Sequence, residues 1–359
     1  MSASAPDSCE NQTIADAVRQ ARVDKTPLVI RGGNTKSFYG RHTDAGVILD
    51  TNACTGIVSY APTELVITAR AGTRLSELEV ALAERNQMFA FEPPAFGAVA
   101  TIGGMVASGL SGPRRAYAGA LRDFLLGVRI VNGQGEILRF GGEVMKNVAG
   151  YDVSRLMAGA LGTLGVITEV SLKVLPKPAV EQTLTFHMDA DEAISRLNRW
   201  AGEPLPLSAS CHDGEKLAVR LSGSPNGVGS ASQKLAADDH FDDGDFWVRL
   251  REQQTEFFES NAPLWRVALA PATPMPDLPG RWLIEWGGAQ RWLLSEDEPA
   301  RIRTKVREAG GHVTLFRGGD RNGDVFEPLP PTLLAIHRNL KDAFDPLRLL
   351  NRGRLYREF

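Results

Sequence analysis

A glycine pair follows a predicted buried strand in the segment PLVIRGGNTKSFYG, residues 27–40. Glycine lets the backbone approach a ligand closely, and successive backbone N–H groups in a turn form a concave site for anions. The segment also carries hydrogen-bond donors and positive charge. Its candidate residues are Arg31, Gly32, Gly33, Asn34 and Thr35. Together they predict an anion held against the main chain.

Two further glycine-rich segments lie downstream, ATIGGMVASGLSGPRR (100–115) and GALGTLGVIT (159–168). Gly103 and Gly104 would bring the backbone close to a flat or anionic group, and successive N–H groups there would form a second anion site. Tight turns between strands would explain any one of the three segments alone. Their presence in one region favours two amide nests that hold the two ends of a long, diphosphate-bearing cofactor.

Several common chemistries are excluded by missing motifs. The chain has no GxGxxG dinucleotide fingerprint, no GxxxxGK[ST] phosphate loop, no HExxH zinc motif and no GxSxG nucleophile motif. Its six histidines are scattered, and its three cysteines, Cys9, Cys54 and Cys211, lack CxxC pairing. No metal or iron–sulfur site is therefore expected within this chain. The net charge of −3 argues against a nucleic-acid surface.

The sequence predicts a soluble protein of two lobes, because 359 residues are many for a single core. The N-terminal sequence MSASAPDSCENQT is polar, and no apolar stretch approaches the ~20 residues of a membrane-spanning helix. A cytoplasmic location is expected.

The pattern of elements differs along the chain. The first ~90 residues indicate a mixed β–α–β unit, and DFLLGVRIVNGQGEILRFG predicts a hairpin that turns at Asn132–Gly133. Residues 181–325 contain all six tryptophans and alternate short strands with helical segments, which predicts an antiparallel sheet backed by helices. Within them, SPNGVGSASQKLAADDHFDDGD (224–245) predicts a mobile loop. The last residues predict a helix, a tight turn and an arginine-rich tail.

The glycine segments resemble the FAD-binding domain of the vanillyl-alcohol oxidase and para-cresol methylhydroxylase (PCMH) superfamily. The matching segments are Arg31–Thr35, Thr101–Gly104 and Gly162–Glu169, in the family's order. Residues 141–176 and the tail 344–354 are similar to the smaller, E-type FAD-binding subunits of bacterial glycolate oxidases. The likeness covers about residues 15–178 and the last twenty or so.

The resemblance implies an α+β fold. A two-subdomain PCMH-type FAD-binding lobe would take residues 1–178, and a smaller cap lobe of antiparallel sheet and helices would take residues 179–325. A C-terminal helix and tail, residues 326–359, would return to the FAD-binding lobe.

The resemblance also implies which residues contact FAD. These are Arg31, Gly32, Gly33, Asn34, Thr35, Thr101, Ile102, Gly103, Gly104, Ser108, Gly109, Gly162, Gly165, Val166 and Ile167. The RGGNT loop would wrap the pyrophosphate, residues 101–109 would run along the pyrophosphate and the flavin, and Val166 and Ile167 would offer backbone groups. In relatives that attach the flavin covalently through this loop, a histidine follows the glycine pair. Asn34 therefore predicts dissociable FAD, unless a cysteine or tyrosine forms the link.

For function, the resemblance implies the FAD-binding subunit of a complex that oxidises glycolate, or a related D-2-hydroxy acid, to the 2-oxo acid and passes electrons to a partner. The implied partners are a larger flavin-binding subunit and an iron–sulfur subunit, through which any membrane association would run. The catalytic motifs of the larger relatives are absent, so no catalytic residue is assigned. Arg266, Arg291 and Arg317 are candidates either for a substrate carboxylate or for salt bridges.

Two alternatives stay open at this point. The chain would be a non-catalytic assembly subunit if its larger partner does the chemistry, or a self-sufficient oxidase of another hydroxyl substrate. The aromatic-rich middle region fits an ordinary core as well as a partner interface.

Overall fold

The computed structural model describes residues 9–43, 46–142, 153–241 and 245–359. The helices are α1 (Cys9–Asp24), α2 (Leu75–Ala83), α3 (Ile102–Ser108), α4 (Arg115–Ala118), α5 (Leu121–Phe124), α6 (Ser154–Met157), α7 (Ala190–Ala201), α8 (Pro225–Leu235), α9 (Phe246–Arg251), α10 (Pro299–Glu308) and α11 (Pro331–Phe344). The strands are β1 (Leu28–Arg31), β2 (Val47–Asp50), β3 (Ile57–Ala61), β4 (Val66–Arg70), β5 (Gln87–Met88), β6 (Leu125–Val131), β7 (Ile137–Gly141), β8 (Val166–Lys173), β9 (Leu175–Pro176), β10 (Val180–His187), β11 (Leu207–His212), β12 (Lys216–Gly223), β13 (Asp239–Phe241), β14 (Leu264–Ala268), β15 (Arg281–Glu285), β16 (Gln290–Leu294) and β17 (His312–Arg317). Within these residues, no helix is long and apolar enough to cross a membrane.

An antiparallel sheet of five strands occupies the first half, in the order β3-β4-β8-β6-β7. The apolar face of α2 packs on it, with Leu75, Leu78 and Leu82 buried as the helical spacing predicts. Each such leucine contributes roughly 1.5–3 kcal/mol of burial free energy. The same core contains Ile67 of β4 and Val170 of β8. These strands hold the segments before α3 and after α6 in fixed positions.

A short parallel pair, β1 and β2, lies beside this sheet and ends at the glycine pair. The tail of the chain joins it, because Leu28 N–H donates to Leu349 O (2.8 Å) and Asn351 N–H donates to Leu28 O (3.0 Å). The apolar face of α1 covers the pair through Ile14 and Val18. The loop that follows β1 therefore starts from an anchored strand.

An antiparallel sheet of eight strands forms the second half, in the order β13-β10-β12-β11-β15-β16-β14-β17. Helices α7 and α8 cover β10 and β12 with a shared apolar core, and α10 covers β14 and β17. The prediction of an antiparallel sheet backed by helices is confirmed. The two large sheets share no strand within the described residues.

Ion pairs and hydrogen bonds connect the two sheets at residues 92–96. Glu92 accepts from Arg114 of the first half (3.2 Å) and from Arg220 of β12 (2.7 Å). Glu252, next to α9, accepts from the amides of Ala95 and Phe96. All these side chains are largely buried, so the loop before α3 is fixed from both sides.

A buried ion pair fixes the C-terminal tail. Lys341 of α11 contacts Asp345 (Nζ–Oδ2 2.8 Å) and donates to the carbonyl oxygens of Thr163 (2.7 Å) and Leu350 (3.1 Å). Asp345 also accepts from Leu349 N–H (3.1 Å). Both charges have hydrogen-bonding partners, as buried charges require. The tail is thereby held against the 158–165 loop.

Of two predictions of local structure, the mobile loop was wrong and the hairpin is confirmed. The predicted mobile loop contains helix α8, because the Ser224 side chain caps the amide of Gly227 (3.2 Å) and Pro225 occupies the first turn; residues 242–244 of that stretch lie outside the described residues. The predicted hairpin is confirmed, because β6 and β7 pair antiparallel and the chain turns over residues 132–136, which include Asn132–Gly133. The Asn132 side chain closes it by accepting from the amides of Gln134 and Glu136, both at 2.9 Å.

Candidate functional site

Twelve of the fifteen predicted FAD-contacting residues line one cavity of about 200 Å³, called here the amide cavity. Its full lining is Val29, Ile30, Arg31, Gly32, Gly33, Asn34, Thr35, Lys36, Ser37, Thr43, Thr51, Thr101, Gly103, Gly104, Ala107, Ser108, Leu161, Gly162, Gly165, Ile167, Asn351 and Arg354. No carboxylate belongs to the lining in the part of the chain that the structure describes. All three sequence segments thus meet at one place, between β1, α3 and β8.

The loop after β1 presents a run of unbonded backbone donors. The amides from Gly32 to Lys36 make no hydrogen bond with any described residue. A Cβ on Gly33 would lie 1.7 Å from Val99 O, so only glycine fits there. Asn34 has a φ of 54°, in the left-handed region that asparagine tolerates. This turn stops a helix from forming and leaves the amides available to an anion.

Two half-buried cations lie beside these amides. Lys36 Nζ donates to Ala95 O (3.1 Å), and burial lowers its pKa to about 8, opposed by the carboxylate of Glu252. Arg354 donates to the carbonyl oxygens of Lys36 (3.2 Å) and Ser37 (2.9 Å), and burial lowers its pKa to about 10. Both guanidinium and ammonium therefore hold the loop and add positive charge to the cavity.

The second segment differs from its prediction, because residues 102–108 form helix α3 rather than an amide nest. Thr101 caps this helix, accepting from Gly104 N–H (3.3 Å). Ile102 N–H donates to Thr73 O (3.0 Å) and Gly103 N–H donates to Ala71 O (2.8 Å). The expected second set of free donors was wrong for this reason. Helix α3 contributes to the cavity wall through its small residues, Gly103, Gly104, Ala107 and Ser108.

The two glycines of α3 have separate roles. A Cβ on Gly103 would lie 2.7 Å from Ala71 Cβ, so this glycine allows the helix to approach the end of β4. A Cβ on Gly104 would meet only Thr101 Oγ1 at 3.3 Å. Gly104 therefore keeps space open in the cavity wall.

The third segment forms the opposite wall with help from the tail. Gly162 has a φ of 74°, and a Cβ there would lie 2.7 Å from Asn351 Nδ2. Asn351 accepts from Ile30 N–H (2.8 Å) and donates to Leu161 O (2.7 Å). This one side chain joins β1, the 158–165 loop and the tail. Sequence reasoning placed Asn351 and Arg354 in the tail motif but did not assign them to the site.

Three predicted residues lie outside the amide cavity. Ile102 and Val166 are fully buried in the apolar cores, where their side chains support α3 and β8. Gly109 ends α3 with a φ of 64° and lines a second cavity. Of the residues that the sequence missed, Lys36 and Ser37 continue the RGGNT loop directly and could have been found from it.

The second cavity measures about 430 Å³ and shares Ser108 with the amide cavity. We call it the arginine cavity. It is lined by Tyr39, Ser108, Gly109, Ser111, Arg115, Ala120, Arg122, Ala158, Gly159, Arg266, Ala268, Leu269, Trp286, Ala289, Gln290, His312 and Thr314. Its walls thus come from the α3–α5 region on one side and from β14, β16 and β17 on the other.

Of the three arginines considered for a carboxylate, only Arg266 lines this cavity. Arg291 is fully buried and donates to the carbonyl oxygens of Gly288 and Pro274, both at 3.0 Å. Arg317 donates to the side chain of Gln253. Neither arginine faces the cavity, and neither forms a salt bridge with a described residue.

Among the described histidines, His312 lines the arginine cavity. His312 lies at the rim of the arginine cavity, and burial together with Arg266 lowers its pKa below the ordinary 6.5. His212 is buried and bonds to Met188 O (2.9 Å), while His337 packs against Tyr356 and Phe359. Among the residues the structure describes, no three His, Cys, Asp or Glu side chains are grouped to hold a metal.

The amide cavity fits the diphosphate of FAD. Five consecutive free amides and two half-buried cations surround it, and the described lining contains no competing negative charge. The adjoining arginine cavity has space for a flat ring system next to Gly109 and Gly159.

Comparison with known proteins agrees with this geometry. The sequence model of a family described as "FAD binding domain" matches residues 9–141. The chain is 49% identical to "Glycolate oxidase subunit GlcE" of Escherichia coli over 97% of its own length and 98% of the relative's. It is also 33% identical to "Glycolate oxidase subunit GlcD" of Bacillus subtilis, over 45% of this chain and 34% of that relative.

Solved structures with the same fold include p-cresol methylhydroxylase with substrate bound. That likeness has a TM-score of 0.70 at 15% identity and covers 96% of this chain and 87% of the other. An alkyldihydroxyacetonephosphate synthase gives a TM-score of 0.66 at 15% identity, over 94% of this chain and 74% of the other. The predicted PCMH-type fold with FAD as cofactor is confirmed. The chain belongs to the GlcE family of glycolate oxidase subunits, which are FAD-dependent oxidoreductases.

Proposed function

We propose that this chain is the FAD-binding subunit of a complex that oxidises glycolate, or a related D-2-hydroxy acid, to the 2-oxo acid and passes the electrons to a partner subunit. The supporting observation is the run of free amides from Gly32 to Lys36, in a chain 49% identical to a glycolate oxidase subunit over nearly its whole length. The oxygen atoms of a diphosphate would accept hydrogen bonds from these free amides, and its negative charge would balance the cations beside them.

In this proposal the diphosphate binds the amides after β1, with Lys36 and Arg354 neutralising its charge. Ser108 and the small residues of the α3 end and the 158–165 loop would hold the flavin ring at the arginine cavity, because they leave space there. Bound FAD supplies the two-electron acceptor for the hydroxy acid. Asn34 lacks the ring nitrogen of a covalent link, so we propose that FAD is held non-covalently.

The proposed partners are a larger flavin-binding subunit and an iron–sulfur subunit. The relative is named as a subunit of glycolate oxidase, which supports assembly of this chain into a complex. Three dispersed cysteines leave an iron–sulfur cluster to another chain.

We also propose the division into residues 1–178, 179–325 and 326–359, which the separate strand composition of the two large sheets supports. A cytoplasmic location, with any membrane contact through partners, stays a prediction from the sequence.

The test is the visible spectrum of the purified chain, repeated on the supernatant after acid precipitation. Flavin bands that move wholly to the supernatant are expected. Bands that remain in the pellet would show a covalent link, and a colourless chain that takes up no FAD would overturn the proposal.

Catalysis is tested on the same sample. Glycolate or D-lactate should bleach the flavin bands, either in the isolated chain or once the larger subunit is added. A flavin that stays oxidised under both conditions would assign the chain to assembly rather than to redox chemistry.

A further inference from the structure

The described lining of the arginine cavity carries positive charge and no carboxylate. Arg115, Arg122 and Arg266 line it, and no Asp or Glu belongs to its described lining. None of the three arginines forms a salt bridge with a described residue, although Asp123 lies near enough to Arg115 to act on its charge. An anion in the cavity would relieve this repulsion.

Burial and neighbouring charge both act on Arg115. Its pKa is lowered from the ordinary value first by burial, then by the charge of Arg266, and Arg122 adds to the effect. The charge of Arg266 therefore reaches the Arg115 guanidinium across the cavity. Arg122 is exposed, so its charge is better screened by solvent.

Aromatic residues hold the two half-buried guanidinium groups in place. The Arg115 guanidinium lies 4.4 Å from the ring centre of Trp286, whose indole N–H donates to Gly112 O (3.0 Å). Arg266 donates to the hydroxyl of Tyr39 (3.1 Å) and lies over its ring. Trp286 and Tyr39 are thus positioning residues. The donors are fixed before any ligand arrives, which lowers the entropic cost of binding.

The two arginines come from opposite walls. Arg115 belongs to α4, on the side that carries the amide cavity, and Arg266 belongs to β14 of the eight-stranded sheet. Both arginines line the cavity that meets the amide cavity at Ser108. Planar guanidinium groups pair with carboxylates through parallel N–H···O bonds.

We propose that Arg115 and Arg266 together bind the carboxylate of the substrate in the arginine cavity. The inference rests on the proposed function, because it places the substrate beside the flavin. It goes further in assigning the carboxylate to two named residues, one on α4 and one on β14.

The experiment titrates oxalate, a carboxylate that cannot be oxidised by hydride loss, into the FAD-loaded chain and into the same chain without FAD. Calorimetry measures binding in both, and flavin difference spectra report it in the loaded form. Arg115→Met and Arg266→Met should each weaken oxalate binding by about 10–100-fold, the usual effect of losing a hydrogen-bonded charge. Arg85→Met, an exposed arginine that lines neither cavity, should have no effect.

A comparison of glycolate with its neutral analogue distinguishes loss of carboxylate recognition from general structural damage. The wild type should bind glycolate far better than glycolamide, its neutral analogue, and both Met variants should lose most of this preference. Arg115→Lys and Arg266→Lys keep the charge and should retain part of it, since an ammonium lacks the planar fork.

Failures of the two proposals have different signatures. A chain that binds FAD normally but whose Met and Lys variants keep the wild-type affinity for oxalate and the wild-type preference for glycolate would overturn the arginine assignment alone. A chain that takes up no FAD overturns the proposed function and is recognised from its spectrum before any oxalate is added.

Discussion

Two glycine pairs line the amide cavity, and they use glycine for different purposes. Gly32–Gly33 lie in a turn whose amides stay free, because the left-handed Asn34 that follows prevents a helix. Gly103–Gly104 lie in the first turn of α3, where carbonyl oxygens of the 71–73 segment and the Thr101 side chain accept their hydrogen bonds. The residues around a glycine pair, rather than the pair itself, decide whether it can offer donors to an anion.

The difference assigns anion binding to the first pair, packing to Gly103 and open space in the cavity wall to Gly104. Substitutions at four positions can break or sharpen this assignment, because they act on FAD affinity, on the free energy of unfolding, or on the pH dependence of FAD affinity. A protein in which both pairs behaved alike would contradict it.

Gly33→Ala should give the largest effect. The new Cβ would lie 1.7 Å from Val99 O, so the loop must move and its amides lose their common direction. We expect FAD affinity to fall about 100-fold, the equivalent of roughly 3 kcal/mol of overpacking. The ratio of flavin to protein absorbance after gel filtration measures this.

Gly229→Ala is the matched control for that variant. It lies in α8, where a Cβ would meet no atom within 4 Å. Its flavin content should equal that of the wild type. Full flavin content in Gly33→Ala would show that the loop tolerates a side chain and that its backbone is not the anion site.

Gly103→Ala should instead lower stability. Its Cβ would lie 2.7 Å from Ala71 Cβ and 2.9 Å from Ala71 O, in a tightly packed contact between α3 and the end of β4. Overpacking of this kind costs about 1–3 kcal/mol in the free energy of unfolding. Urea unfolding of the FAD-free chain measures it, and an unchanged midpoint would contradict the packing role.

Gly104→Ala should separate affinity from stability. Its Cβ meets only Thr101 Oγ1 at 3.3 Å and otherwise enters the cavity space. Alanine is the better helix former by roughly 0.5–1 kcal/mol, so stability should stay level or rise. FAD affinity should fall about tenfold, or roughly 1.4 kcal/mol. A loss of stability without a loss of affinity would reverse the roles assigned to the two glycines of α3.

Local patterns in the sequence predict more of this site than of its neighbour. The RGGNT loop, the 101–108 segment and the 162–167 segment could be located because each contains two closely spaced glycines. Asn351 reaches Ile30 across most of the chain, and no local pattern specifies such a contact. The arginine cavity joins residues near Arg115 to strands around Arg266, so its charge exists only after folding.

Secondary structure could also be predicted only in part from local sequence patterns. The antiparallel character of the second half follows from alternating strands and helices and is confirmed. Helix α8 was missed because glycines and acidic residues outweighed its Ser224–Pro225 start, although that start supplies both a cap and a preset first turn. The amides of α3 could not be assigned from sequence, since their acceptors lie on the turn after β4.

The smallest expected effect concerns pH and the first glycine pair. Lys36 has a pKa of about 8 in the free chain, because burial disfavours its charged form. A bound diphosphate favours that form and raises the pKa, so above pH 8 the complex holds more protons than the free chain. FAD affinity should therefore be constant below about pH 7 and fall as the pH rises through 8, by at most about tenfold per pH unit for one proton.

Fluorescence quenching of FAD between pH 6 and pH 9.5 measures this dependence. Lys36→Arg keeps a charge throughout the range and should give a flat profile, while Lys36→Met should bind FAD weakly at every pH. Arg354, with a pKa of about 10, stays charged over most of the range and serves all three proteins alike. A wild-type profile as flat as that of Lys36→Arg would show that the ammonium does not face the diphosphate, and the free amides of the 32–36 loop would then carry the anion without it.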